Sequence, residues 1–535
     1  MQKKIIKVHA SDNVAVALVN LKEGDVISFE GEAITVVSNT KSKHKIALER
    51  FESGARIIMY GVLVGTANGA IEKGDVLTTE NVKHQSEKVF GRTESFSWTP
   101  PNVDKWKDKT FLGYHRADGQ VGTENVWLFF PLVFCENRNI EILKEIFEKE
   151  LLKQKVNPHQ MLLRSLVSGN EETEVTNASS DVFDNIDVKF ITHPGGCGGI
   201  RQDSESLAKL LAGYVNNPNV AGATVLSLGC QNLQINILKE SLQAINPNLS
   251  KPVLIFEQQQ MGTVDEMLSA IVKESFEAIK KANNIKRGPA PLSKLRVGLE
   301  CGGSDGFSGI SANPTLGAVS DMLAALNGTA ILSEFPELCG VEQELVNRCV
   351  DDKDGEKFLS LMKAFEKSVI DAGSGFDMNP SPGNIKDGLI TDAMKSAGAA
   401  KKGGTSPVQS VLDYGEYITK PGLNLLCTPG NDVESTTAMV GSGANVVLFT
   451  TGLGTPTGNP IAPIIKVSSN TELAERMPDI IDIETGAVIR GEKSIDEMAD
   501  EMLGFIIDVA SGTIKTKARL LNQNDFIPWK RGVSL

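Results

Sequence analysis

The chain has 535 residues, more than one hydrophobic core usually supports, so about two to four domains are expected. Its 50 glycines follow no period, which excludes collagen-like and low-complexity sequence, and its net charge of -13 argues against a nucleic-acid or anionic-membrane surface. No run approaches the roughly 20 apolar residues that span a bilayer, and the start MQKKIIKVHASDN has no signal-peptide core. Seven cysteines without CxxC spacing fit neither a secreted disulfide framework nor a zinc ribbon. A soluble, cytoplasmic protein is the expectation.

Residues 1–88 alternate short β-prone runs with Gly, Asp and Asn turns, which predicts a small all-β module with no helix beyond residues 13–21. The segment 89–108 loses periodicity and carries a Pro pair, as an extended linker would. Over 109–290 strands alternate with helices. One helix is predicted over 140–154, with Ile142, Leu143, Ile146, Phe147 and Leu151 on one face, and another over 264–281, with Thr263 and Glu266 at capping-box spacing. After a boundary near 290, the alternation resumes through 291–535, including a helix at 495–510 with Ser494 and Glu497 as its capping pair and Gly512 as its stop. The pattern predicts an α/β fold with a parallel sheet behind the β module.

Parallel sheets bind ligands beyond the carboxyl ends of their strands. Five apolar runs here break into Gly-rich turns: HPGGCGG around Cys197, LSLGCQ around Cys230, LECGGSDGFSG around Cys301, LLCTPGND around Cys427 and FTTGLGTPTG near Thr455. They are expected to converge on one site. The third puts Cys301, Ser304, Asp305 and Ser308 among Gly302, Gly303, Gly306 and Gly309, a small-sided loop suited to closing on a ligand. None matches GxGxxG or the P-loop, and KKGGTSP at 401–407 has its lysines before its glycines, so a nicotinamide or ATP site is not supported.

Cys197, Cys230 and Cys301 would supply three thiolates to an iron centre, or one of them would join oxygen ligands such as Asp305 around one divalent ion. Cys135, Cys339 and Cys349 lie outside the glycine loops and are expected to be structural. His193, four residues before Cys197, and Glu334 in ILSEFPE are the proton-transfer candidates, and Asp432 also ends an apolar run. Arg116, Lys386, Lys402, Lys401 and Lys466 are candidates for a substrate carboxylate. His9, His44 and His84 fall in or just after the β module, which would lend an acid, a base or a ligand across its interface with the larger sheet domain.

Read together, VHASDNVAVAL, FLGYHRADGQVGTEN, LSLGCQNLQ, LECGGSDGFSGISANPTLGA, LSEFPELCGVE, SPGNIKDGLITDAMKSAGAAKKGGTSP and IPWKRGVSL resemble the altronate and galactarate dehydratases over essentially the whole chain. The resemblance implies a β-clip module of SAF type, a linker, a middle α/β domain used for homodimer contacts, and a C-terminal Rossmann-like domain holding a metal site. It also implies Fe2+, or alternatively Mn2+ or an iron–sulfur cluster, and water removal from a sugar acid. D-altronate is the first expectation, galactarate the alternative, and a non-catalytic sugar-acid-binding protein the reading from another class. On this basis Cys301, Asp305, Cys197 and Cys230 are the expected metal neighbourhood, and Arg116, Ser304, Ser308, Lys386 and Lys402 the expected substrate contacts. Two positions depart from the family pattern: Glu124 and Ile385 stand where many members carry Arg and Lys.

Overall fold

The computed structural model describes residues 3–151, 158–168 and 182–535. The chain groups into two compact units, residues 1–113 with 289–529 and residues 114–288 with 530–535. The β module, the segment 89–108 and most of the C-terminal segment thus share one unit.

The N-terminal module is built from short antiparallel strands around Ile5, Ala15, Ala17, Leu21, Ile27, Ile34, Val36 and Ile46. The helix allowed at 13–21 does not form: Val14–Ala17 is a strand, paired on both sides with Ile5–Ile6 and Lys45–Ala47. Val14 and Val16 are β-branched and all four residues are buried, so pairing on both edges outweighs a short helix. The module packs on the C-terminal part of the unit through its 42–45 turn. Lys43 Nζ lies 3.0 Å from Asp305 Oδ2 and 3.3 Å from Asp387 Oδ1, and Lys45 Nζ donates to the Gly388 carbonyl at 2.6 Å. A Cβ on Gly306 would stand 2.2 Å from the Lys43 carbonyl oxygen, and one on Gly309 2.2 Å from the Tyr60 hydroxyl. These glycines of the 301–309 loop admit the β module, a use the sequence reading did not foresee.

Residues 89–103 carry no helix or strand, 104–108 form turns, and the segment is pinned. Arg92 pairs with Asp352 at 2.9 Å, Trp98 Nε1 donates to Thr405 Oγ1 at 3.2 Å, and Trp106 Nε1 donates to Asp500 Oδ1 at 2.8 Å.

The C-terminal part carries a seven-stranded, wholly parallel sheet. Its strands, labelled in chain order, are β1 (Arg296–Cys301), β2 (Thr329–Leu332), β3 (Val408–Leu412), β4 (Gly422–Leu426), β5 (Val446–Thr451), β6 (Ile464–Ser468) and β7 (Ile483–Glu484). Their spatial order is β3-β4-β2-β1-β5-β6-β7. Strands β2, β4, β5 and β6 are buried on both faces, which their continuous apolar runs require. Helices α1 (Ala312–Ala325), α2 (Asp392–Ala400), α3 (Asp432–Gly441) and α4 (Ile495–Ala510) accompany it, and α4 has the expected Ser494–Glu497 capping box. Because β1 has β2 on one side and β5 on the other, the strand order reverses about it, the place where open α/β sheets form a crevice.

The second unit has a four-stranded parallel sheet ordered Asp187–Phe190, Val126–Pro131, Val220–Ser227, Val253–Glu257. Its core includes Trp127, Phe129, Phe147, Met267 and Ile271, with Phe129 and Phe190 stacked at 4.7 Å. The helix expected over 140–154 runs Asn137–Leu151, buries Ile140, Leu143, Phe147 and Leu151, and leaves Ile146 exposed; residues 152–154 lie outside the described residues. The second expected helix is Val264–Ala282, closed by the Thr263–Glu266 capping box.

Candidate active site

At the carboxyl end of β1 the sheet holds a buried charged cluster. Strand β1 supplies Glu300 and Cys301, and the turn after β2 supplies Glu334 and Glu337. Helix α2 supplies Lys395, the turn that follows it Lys402, and the N-terminus of α3 Asp432. Lys402 Nζ donates to Glu334 Oε2 at 2.5 Å and to Cys301 Sγ at 2.8 Å. The Cys301 thiol donates to Glu337 Oε2 at 3.4 Å, and Lys395 Nζ donates to Glu337 Oε1 at 2.6 Å and to Asn379 Oδ1 at 2.9 Å. Ser435 Oγ donates to Glu300 Oε2 at 2.6 Å. Glu334 sits at φ 63°, a left-handed backbone that a non-glycine residue holds only when its surroundings enforce it. Here its N–H donates to Thr428 Oγ1 at 2.8 Å while its carboxylate meets Lys402.

The ligand atoms of Cys301, Glu334 and Glu337 lie within 4.8 Å of one another, as do those of Glu300, Glu334 and Asp432. Glu334 belongs to both groups. Glu300 Oε1 and Glu334 Oε1 are buried without a hydrogen-bond partner, which costs free energy unless a proton or a cation lies between them. A Cβ at Gly302 would fall 2.0 Å from Asp432 Oδ2, so only glycine lets the chain leave β1 past this carboxylate.

Burial divides the acids into two kinds. It pushes the Glu300 carboxyl well above its ordinary value, and the neighbouring Glu334 charge adds to this. It raises Glu334 too, against the pull of Lys402. For Glu337 burial also acts upward, but Lys395 and Lys402 prevail and hold it low. Asp432 is pushed up to about 7 by burial and then by Glu334 and Glu337. The Cys301 thiol is driven up by burial and by Glu334. Burial disfavours the Lys402 ammonium, yet Cys301, Glu334, Glu300 and Glu337 around it keep it charged. Within one cluster, burial thus favours the protonated form of Glu300 while the two lysines favour the ionised form of Glu337, an arrangement suited to moving protons.

Of the residues expected from sequence, Cys301, Glu334, Lys402 and Asp432 come together here. Asp305 does not join Cys301. Its Oδ1 accepts from the Ser308 hydroxyl at 2.9 Å and from Ser469 Oγ at 2.8 Å, its Oδ2 accepts from Asn470 Nδ2 at 3.0 Å, and Lys43 neutralises it. The acid spaced as a ligand is therefore a buried tie between loop and β module, and Ser308 is spent on it. Ser304 is buried, with its carbonyl accepting from Asn384 Nδ2 at 2.7 Å, and Lys386 is exposed at the end of a short helix. Lys401 is half-buried, and Lys466 is buried over the Phe449 ring at 4.3 Å.

His193, Cys197, Cys230 and Arg116 belong to the second unit, so the five glycine loops are divided between the units. His193 Nε2 pairs with the Pro131 carbonyl at 2.8 Å, the Gly195 N–H donates to its Nδ1 at 3.2 Å, and burial depresses its pKa to about 4. Arg116 donates to the Pro218 carbonyl, to Asn125 Oδ1 and to the Glu124 carbonyl at 2.8, 2.8 and 3.1 Å, a backbone-bracing role. Cys197 is half-buried; Cys230 is exposed, its sulfur accepting from Gln259 Nε2 at 3.4 Å.

Sequence reasoning missed Glu300, Glu337 and Lys395. Glu300 is hidden inside an apolar strand, and Glu337 follows Glu334 by one 3-10 turn, a spacing that became informative only once Glu334 was placed. Lys395 was indistinguishable from a solvated helix lysine.

Three family profiles match the chain in order: "Altronate/galactarate dehydratase SAF domain" over residues 3–85, "D-galactarate dehydratase/Altronate hydrolase, second domain" over 113–283, and "D-galactarate/Altronate dehydratase, C-terminal" over 292–534. The chain is similar to the altronate dehydratase of Bacillus subtilis (strain 168), 35% identical over 100% of both chains. It is 34% identical to the altronate dehydratase of Escherichia coli (strain K12) over 99% of both. It is 32% identical to the L-threo-forming galactarate dehydratase of the same organism, over 96% of this chain and 93% of that one. With full-length identity at this level and the three profiles laid end to end, the chain belongs to the D-galactarate/altronate dehydratase family.

Proposed function

We propose that this chain converts D-altronate to 2-dehydro-3-deoxy-D-gluconate and water at the cluster around Cys301, Glu334 and Lys402. Family membership makes it a sugar-acid dehydratase, a hydro-lyase. The observation that carries the reading is the buried set of Glu300, Glu334, Glu337, Asp432 and Cys301 gathered with Lys395 and Lys402 at the carboxyl end of β1.

The reaction removes a weakly acidic proton from C2, beside the carboxylate, and expels the C3 hydroxyl. Glu334, oriented by Lys402, is placed to take the C2 proton. Glu300, kept protonated by burial, is placed to give a proton to the departing hydroxyl. Lys395 and Asp432 are the least buried members of the cluster and form its side open to a ligand, where the Lys395 ammonium would meet the substrate carboxylate.

The residues fit a divalent ion. Glu300, Glu334, Glu337 and Asp432 face Lys395 and Lys402 as their main counter-charges, with Lys466 acting on Asp432 and Glu300, two carboxylate oxygens lack partners, and Cys301 adds a single sulfur. One sulfur among oxygens suits mononuclear ferrous or manganous ion in preference to an iron–sulfur cluster. Such an ion supplies Lewis-acid stabilisation to the enediolate formed when C2 is deprotonated.

Anaerobically purified protein given ferrous iron and altronate should form the keto-deoxy acid, and no product would sink the reading. Galactarate, mannonate and sulfolactate run beside it; faster turnover of galactarate would move the substrate assignment. A homodimer in the cytoplasm belongs to the same proposal. Seven cysteines free of disulfides support a reducing setting, and light scattering tests the dimer.

A further inference from the structure

A second group of metal-ligand side chains lies outside that cluster and shares no residue with it. His84 follows the last strand of the β module, Val82–Lys83. Cys339 directly follows the 3-10 turn Phe335–Leu338, and Asp392 is the first residue of α2. One ligand atom from each lies within 4.8 Å of the other two. Three chain segments far apart in sequence are held to this spot. A Cβ on Gly340 would stand 3.3 Å from Ser86 Cβ and 3.4 Å from Ala393 Cβ, and the Ala393 N–H makes a long contact of 3.4 Å to His84 Nδ1.

Hydrogen bonding accounts for the group only in part. Asp392 is 1% exposed, its Oδ1 receives a long bond from Ser396 Oγ at 3.3 Å and its carboxylate interacts with the Cys339 thiol, yet its Oδ2 has no hydrogen-bond partner. A buried carboxylate oxygen without a donor is costly. The charges that bear on the group are mainly acidic. Asp377 faces His84, Glu342 and Glu366 face Cys339, and Glu337 faces Asp392, with Lys395 the single opposing cation there. Such a field attracts a cation.

We propose that His84, Cys339 and Asp392 form a second metal site, which takes a borderline divalent transition ion of the zinc class. One sulfur, one imidazole nitrogen and one carboxylate oxygen are the mixed donors such an ion accepts, with water completing a tetrahedron. Binding releases the Cys339 thiol proton to solvent and gives the unpartnered Asp392 oxygen its partner. The ion would staple the end of the β module to the turn that carries Glu337 into the active cluster two residues earlier. Its place is structural, since none of the three ligands touches the proton-transfer pair.

The test uses full-length protein stripped by chelation under reducing, anaerobic conditions and titrated with Co2+, whose thiolate charge-transfer absorption reports sulfur ligation. Wild type and Cys301→Ser should both develop this absorption. In the Cys301→Ser background, which removes the sulfur of the active cluster, Cys339→Ser should lack it, and His84→Ala should need at least about ten-fold more cobalt to reach it. Near-UV circular dichroism checks that each variant is folded, and His84→Ala decides the matter if Cys339→Ser is not. In the Cys301→Ser background, absorption that never forms, persists when Cys339→Ser is added or is unaltered when His84→Ala is added overturns the proposal.

Discussion

Lys402 shows what a single residue does in this protein. Its ammonium is buried against Glu334 and Cys301, so its removal leaves an uncompensated carboxylate in a low-dielectric site. Lys402→Met should cost about 3–5 kcal/mol, read from denaturant unfolding. The same variant should lower kcat by at least about 100-fold, because Glu334 loses the group that orients it. His193 offers a pH test in the second unit. Between its ordinary 6.5 and about 4, the unfolded chain takes up a proton that the buried ring refuses. Stability is therefore lost as pH falls through that window, by about 3 kcal/mol in all. His193→Gln should flatten the fall between pH 7 and pH 4.5; an unchanged slope would show that the ring does not titrate as its burial demands.

At the scale of elements, local chemistry and local sequence agree. The capping boxes at Thr263–Glu266 and Ser494–Glu497 were legible because a hydroxyl and a glutamate three residues apart satisfy backbone N–H groups without help from distant chain. Thr263→Ala and Ser494→Ala should each lower stability by about 1 kcal/mol and leave kcat unchanged. The element read ambiguously was Val14–Ala17, where two neighbouring strands, and not intrinsic preference, set the conformation. The 301–309 loop was legible as a loop after a strand. Its glycines, however, answer to the Lys43 carbonyl and the Tyr60 hydroxyl from the β module, partners hundreds of residues away.

At the scale of the whole chain, the larger unit is continuous from the β module to the seven-stranded sheet. Lys43 joins them through Asp305, whose carboxylate is fully buried. Lys43→Met removes the cation in contact with that charge and leaves it hydrogen bonds and the more distant Lys45. Hydrogen exchange should therefore quicken together in Val14–Ala17, in Lys45–Ala47 and in residues 302–311, and a rise confined to one of these would contradict the coupling. Lys395→Ala provides the matching catalytic check. If this half-buried lysine meets the substrate carboxylate, KM should rise by about ten-fold or more while the Glu337 pairing it loses lowers stability.

The sequence by itself determined the parallel α/β character, the capped helices, the strand-end loops and the family, because these rest on periodicity, on contacts three or four residues apart and on motif strings. The tertiary structure decided which strand ends meet: it divided five similar loops between two units and drew Glu300, Glu337 and Lys395 into the cluster. It also sent Asp305 to Lys43 and not to Cys301. The physical reason is distance along the chain. Lys402 and Cys301 are 101 residues apart, and Lys43 and Asp387 344, and nothing in the local pattern of either partner records the charge it will meet.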